Sequence, residues 1–171
     1  AHCPNFKQYL RTTLDKDIIP LVLELMGYCL IPDTSFEISA ILFGGGANGK
    51  SVFLDTLTAL LGKNNVSNSE LQMLINNRFR TAELLGKLAN ISADIGNQRL
   101  ENTEVFKKLT TGDRMTVEQK HKDPFEFQNQ ARLLFSANEL PGSRDRTYAF
   151  YRRWLIIPFT RTFKGANADK V

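Results

Sequence analysis

The sequence predicts an α/β sandwich around a mostly parallel central sheet, with a helical segment at its N-terminal end. Three observations predict it. An apolar run at 38–43 leads through the octapeptide GGGANGKS, residues 44–51, into a helical pattern at 52–61 that stops at Gly62. Further apolar, strand-like runs at 88–93, 131–137 and 154–159 alternate with helical patterns. Polar residues with chemistry to offer stand where strands end: the octapeptide, Asp94 and Asn138. Open α/β sheets bind ligands at the carboxyl ends of their strands.

The remaining elements follow in order. Residues 5–30 read as helices: Phe6, Tyr9 and Leu10 share one face, and a second apolar stretch, from Ile18 to Met26, is interrupted by Pro20 and ended by Gly27. Pro32, Asp33 and Thr34 form a turn into the first strand. After a turn at 62–65, the segments 69–74 and 80–85 read as helical. The helix at 102–110 points Val105, Phe106 and Leu109 inward and is broken by Gly112 and Asp113. Residues 115–117 and 125–127 pair as a hairpin whose tip is 118–124. A polar loop carrying Pro141 and Gly142 leads to a short helix at 147–152 before the last strand. The expected division is an N-terminal helical segment or linker at 1–36 and a core at 37–171. A chain that opens on Ala1 rather than Met is expected to be a fragment, truncated at both ends.

With 171 residues, 42% hydrophobic and 23% charged, the composition is that of an ordinary globular domain. No apolar run approaches the roughly 20 residues of a membrane span, so no membrane partner is expected. A net charge of +4 suits a polyanion partner and equally suits a solvated basic surface. Cys3 and Cys29 form no motif and are expected to be free thiols of a cytoplasmic protein. His2 beside Cys3 lacks the second ligand pair that a zinc site requires.

The octapeptide reads G-x-x-x-x-G-K-S, a phosphate-binding P-loop in its proper strand–loop–helix setting. Gly44, Gly45, Gly46, Ala47, Asn48 and Gly49 would wrap phosphate oxygens with backbone N–H groups, and the helix N-terminus at Val52 adds partial positive charge. Lys50 would reach the β- and γ-phosphates and the Ser51 hydroxyl would sit on Mg²⁺. The expected cofactors are therefore ATP and Mg²⁺. Asp94 stands where an acid meets the metal shell or the attacking water; alone, it would be an ordinary turn or cap residue. Asn138 can hold that water or sense the γ-phosphate. Arg152 and Arg153 either complement a helix dipole or include an arginine finger, with Arg153 ahead of Arg152. Lys120, His121 and Lys122 make a basic hairpin tip, either solvated or touching nucleic-acid phosphates. Arg78 and Arg80 are expected to be solvated surface.

Taken together, GGGANGKS, LANISADIG, FKKLTTGDRMTVEQKHKDPFEF, ARLLFSANELP and AFYRRWLIIPF resemble the ATPase core of superfamily 3 helicases. More narrowly, they are similar to the phage and plasmid primase–helicases of the poxvirus-type NTPase group. The resemblance covers nearly the whole chain, from Phe6 to Phe163. It implies a P-loop NTPase fold of AAA+-like type and an ATP-dependent DNA helicase or translocase of a phage, prophage or plasmid replication protein. By it, Lys50 and Ser51 match the Walker A lysine and Mg²⁺ ligand. Asp94 matches the Walker B acid, here a single Asp after Ser92 and Ala93 where many helicases place two acids or a Glu. Lys120 and His121, with Lys122 beside them, match the pore hairpin; Asn138 matches motif C; Arg153 matches the trans arginine finger. The implied partners are single-stranded or forked DNA, further copies in a ring, usually hexameric, and a primase domain in the same longer chain. A nucleotide-switched DNA-binding module with little turnover is the alternative. A small-molecule kinase would share the loop but leaves the basic hairpin unexplained.

Overall fold

A computed structural model of the chain describes residues 2–93, 95, 96 and 99–163. The expected α/β architecture is present. Strands β1 (Ser39–Phe43), β2 (Val66–Ser67), β3 (Ala89–Ser92), β6 (Arg132–Ala137) and β7 (Trp154–Pro158) form one sheet in the order β2-β3-β6-β1-β7. Every neighbouring pair in it is parallel. A separate antiparallel hairpin pairs β4 (Arg114–Val117) with β5 (Phe125–Gln128).

Alternation along β1 sorts its side chains to opposite faces. Ala40 and Leu42 enter a core that also holds Leu10 and Leu14, Val22 and Leu25, and the Phe53–Leu57 side of the helix after β1. Ile41 points into a second core with Leu71, Leu74, Phe106, Phe127 and Phe150. The sheet is therefore covered on both faces, as buried parallel strands require. Helices α1 (Pro4–Thr13), α2 (Ile18–Tyr28) and α3 (Lys50–Leu61) cover the first face. Helices α4 (Leu71–Asn76), α6 (Thr103–Thr111) and α7 (Tyr148–Tyr151) cover the second with the hairpin, and the single turn α5 (Arg78–Thr81) joins α4 to β3 through a 3-10 turn.

Several elements differ from expectation. Pro20 does not interrupt α2, because it lies in the first turn, where backbone N–H groups have no intrahelical acceptor to lose. Gly27 does not end that helix either; it runs to Tyr28. The edge strand β2 follows the 62–65 turn in two residues, too short for any periodic signal. The helical patterns at 69–74 and 80–85 become α4, starting at Leu71, and a 3-10 turn at Ala82–Leu84. The hairpin register, Met115 opposite Phe127 and Val117 opposite Phe125, is the pairing that its apolar alternation specifies.

Buried polar side chains lock the joints. Asn129 turns β5 into β6: its Nδ2 donates to the carbonyls of Leu109 and Ala131, and its Oδ1 accepts from the Ala131 amide. Arg132 stacks its guanidinium 3.9 Å from the Tyr28 ring centre and donates to the Ile31 carbonyl. Asp145 collects hydrogen bonds from Thr147, Thr103 and Lys107, which hold its carboxyl well below the usual range. They pin the loop after β6 to α6.

Both cysteines are free, Cys3 exposed and Cys29 buried. Burial pushes the Cys29 thiol up to about 12, with Arg132 opposing. The thiolate is the nucleophile, so Cys29 is inert at neutral pH. Titration of the native protein with an aromatic disulfide reagent is expected to consume the Cys3 thiol rapidly and that of Cys29 only after denaturation. Rapid reaction of both in the native state would contradict this packing.

Candidate functional site

The site forms where loops leave adjacent strands in opposite directions. The chain after β1 turns to the first face and becomes α3; the chain after β6 turns to the second face and leads to α7. β1 and β6 are neighbours in register, Phe43 beside Ala137. The crevice between their carboxyl ends is a topological switch point, the place where open α/β sheets hold ligands.

The 44–51 loop fills the β1 side. Its conformation depends on glycine at two positions. A Cβ on Gly44 would lie 2.2 Å from the Asn48 side-chain nitrogen and 2.4 Å from the Phe159 carbonyl oxygen, so no larger residue fits. Gly49 has φ +85°, in the left-handed region, and caps the N-terminus of α3. The Tyr9 hydroxyl donates to the Gly49 carbonyl at 2.9 Å, so α1 braces the loop from behind.

Lys50 opens α3 and is 5% exposed. Its Nζ donates to the Gly44 carbonyl at 2.5 Å, to Asn48 Oδ1 at 3.0 Å and to Asn138 Oδ1 at 3.2 Å. A buried ammonium must be met by such acceptors. Asn48 in turn donates to the Phe159 carbonyl at 3.2 Å, tying the loop to the end of β7. The structure thus brings Gly44, Asn48, Lys50 and Asn138 to one point from both sides of the crevice. A cavity of about 400 Å³ opens over them, lined also by Ser51, Ala93, Ser136 and Phe163. This is the size of a small-molecule pocket. The first turn of α3 presents backbone N–H groups and the positive end of a helix dipole to it, which favours an anion.

The other sequence-predicted residues are placed apart or lie beyond description. Asp94 lies outside the described residues; its neighbour Ala93 lines the cavity. Lys120, His121 and Lys122 occupy the hairpin tip, where His121 adopts φ +60° and Lys122 Nζ donates to Gln119 Oε1 at 3.0 Å. The hairpin is rooted near the end of the sheet where the strands begin: Thr34, just before β1, donates to the Thr111 carbonyl beside its base. Arg153 precedes Trp154, which pairs with Ser39 at the start of β1. It is therefore on the order of 17 Å from the loop, five residues of strand at ~3.3 Å each. The Arg153 side chain is 7% exposed, donates to the Ala149 carbonyl, and meets Glu37 at 3.4 Å. Arg152 also bonds Glu37 and is 38% exposed. Burial lowers the pKa of Arg153, with Glu37 opposing. Arg78 and Arg80 are exposed, as expected, with Arg80 paired to Glu83 at 2.7 Å.

Sequence reasoning missed Ser136, Phe163 and the Tyr9 brace. Ser136 alternates with core residues of β6, and nothing but the sheet register marks it as cavity-facing. Phe163 and Tyr9 reach the site only through tertiary packing.

A family model matches residues 42–153, from the end of β1 through the pair Arg152–Arg153. The chain belongs to DUF5906. That family is one of unknown function. The DUF5906 match takes in the loop, the Lys50 cluster, the hairpin and Asn138. A candidate helicase of Acanthamoeba polyphaga mimivirus is 29% identical over 164 residues, covering 91% of this chain and 17% of the relative. The C-terminal region of NrS-1, solved in its apo form, superposes with a TM-score of 0.68 at 16% identity, over 98% of this chain and 41% of that one. JCV helicase superposes with a TM-score of 0.55 at 15% identity, over 90% of this chain and 43% of that one. At such identities the structural likeness shows a shared fold. The DUF5906 chain spans less than half the length of each of these proteins.

Proposed function

We propose that this chain is the ATPase core of a DNA helicase or translocase of superfamily 3 type, belonging to a phage, prophage or plasmid primase–helicase. The observation that carries the reading is the buried Lys50 ammonium, held by Gly44, Asn48 and Asn138 over a cavity at the switch point. The names of the mimivirus relative and of JCV helicase support it.

In this reading the 44–51 loop is a P-loop, and Gly45, Gly46 and Ala47 with the N-terminus of α3 receive the phosphates of ATP. The same acceptors that hold Lys50 at rest keep it poised to turn to a γ-phosphate. Asn138 shares an oxygen with Lys50 at rest and would orient the attacking water when Lys50 turns to phosphate. Ser51 and Asp94 would hold Mg²⁺, which neutralises charge on the transferring group. Among the described residues no three His, Cys, Asp or Glu converge on a metal site. Mg²⁺ in phosphate-transfer sites needs only one or two protein oxygens beside the phosphates, and the Ser51 hydroxyl in the cavity lining is of the right chemistry to be one of them. Arg153 stands too far from its own loop to act there and would serve a neighbour's site in a ring, hexameric in the full-length protein.

Mg·ATP is expected to raise the Tm of the full-length protein in a concentration-dependent way; at one hundred times Kd the stabilisation is about 2.7 kcal/mol. No shift at millimolar Mg·ATP would count against a nucleotide site. For the hairpin, DNA affinity measured against salt should weaken with a slope of about 0.7 per phosphate contact on a single strand. The double variant Lys120→Ala/Lys122→Ala is expected to lower that slope by about 1.4. An unchanged slope would place DNA elsewhere.

One observation favours the second reading, a nucleotide switch with little turnover. The Arg153 guanidinium is engaged by Glu37 and Ala149 of its own chain. Slow turnover with nucleotide-dependent assembly would decide for it.

A further inference from the structure

We propose that Phe163 is the base platform of the nucleotide cavity, a role that rests on reading that cavity as a nucleotide site. The cavity has two chemistries. Lys50, Ser51, Ser136 and Asn138 supply its polar lining, suited to phosphate. Phe163 is the aromatic ring in that lining, and it is partly exposed.

The ring is placed by the backbone around it. The Phe159 amide donates to the Phe43 carbonyl at 2.7 Å where β7 ends. Arg161 donates to the carbonyls of Arg11 and Thr12 at 2.9 and 2.8 Å and meets Asp15 at 3.5 Å, anchoring the segment to the end of α1. The Phe163 amide then donates to the Ala47 carbonyl at 2.7 Å, in the middle of the 44–51 loop. Ala47 itself adopts φ +48°, so this bond stabilises a turn that an alanine rarely takes. The segment therefore latches the loop through its backbone and sets Phe163 in the lining of the cavity, partly exposed.

A nucleotide whose phosphates lie on the loop must put its base somewhere along the cavity wall, and an aromatic ring there offers a stacking surface. Stacking is tolerant of base identity, because every base has a π-face. The site should therefore take nucleoside di- and triphosphates with little discrimination among bases, selecting its ligand by phosphates and by the presence of a base.

The test is calorimetric titration of the full-length protein with Mg·ADP, Mg·GDP and Mg·pyrophosphate, which share a diphosphate and differ in the base. The variants are Phe163→Ala and Phe163→Tyr. The Phe163 amide is retained in both, so the latch to Ala47 survives. Phe163→Ala is expected to weaken ADP and GDP alike by roughly tenfold or more and to leave pyrophosphate within about twofold. Phe163→Tyr is expected to restore both nucleotides. Equal weakening of ADP and pyrophosphate would overturn the proposal in favour of a purely structural role. So would an unchanged ADP affinity in Phe163→Ala. A wild-type protein that binds neither ADP nor pyrophosphate would instead overturn the nucleotide reading of the cavity, and this proposal with it.

Discussion

Replacing Lys50 with alanine is expected to abolish ATP hydrolysis, with a loss of at least 10²–10³-fold in kcat/KM, the scale of removing one preorganised donor from a transition state. The side chain converges with Gly44, Asn48 and Asn138 at the switch point and is nearly buried. An ammonium held there, away from water, has far more effect on a phosphoryl group than one on the surface. Lys50→Met keeps most of the aliphatic stem and separates the charge from the volume. Both variants are expected to keep the wild-type circular dichroism spectrum and lose turnover. Hydrolysis at the wild-type rate in either would remove Lys50 from the chemistry.

The largest effect on stability is expected from Phe106→Ala. Phe106 is fully buried in the second core, stacked on Trp154 at 4.3 Å between ring centres and edge-on to Phe150 at 5.7 Å. It joins α6, α7 and the start of β7 in one contact. Truncating a buried Phe leaves a cavity and costs roughly 3–5 kcal/mol. For a domain of this size, that corresponds to a fall in Tm of roughly 6–20 °C. Tyr148→Ala, at an 81% exposed position of α7, serves as the control and should cost no more than about 0.5 kcal/mol. Equal effects of the two substitutions in thermal denaturation would contradict the assignment of the core.

Those two residues also mark how much the sequence carried. Phe106 was legible as inward-facing because helix periodicity sets it with Leu109 on one stripe. Lys50 was legible because the octapeptide constrains a local turn: glycines, a lysine and a helix start are all contiguous. The hairpin pairing was legible for the same reason, since period-two alternation on both arms specifies one register. What stayed hidden was non-local. Glu37 meets Arg153 across 116 residues, and Phe163 meets Ala47 across the same span. No periodicity encodes such pairings; they exist because β7 lies beside β1 in the sheet. Pro20 shows a local failure: the proline rule depends on position within the helix, and Pro20 is the third residue of α2, where its missing N–H costs no intrahelical bond.

The roles of Arg153 and the hairpin tip share one structural circumstance. Both lie away from the Lys50 cavity of their own chain, so neither can act on nucleotide bound there without a neighbour or a moving element. In the proposed ring both would have a purpose, with a neighbour's phosphate taking the place of Glu37 on Arg153.

Steady-state ATP hydrolysis by the full-length protein, with and without single-stranded DNA at two salt concentrations, tests the central claim most directly. The account predicts hydrolysis that rises on adding DNA, loses that stimulation as salt screens the hairpin, and disappears in Lys50→Ala. Hydrolysis indifferent to DNA at either salt concentration, or retained without Lys50, would contradict it.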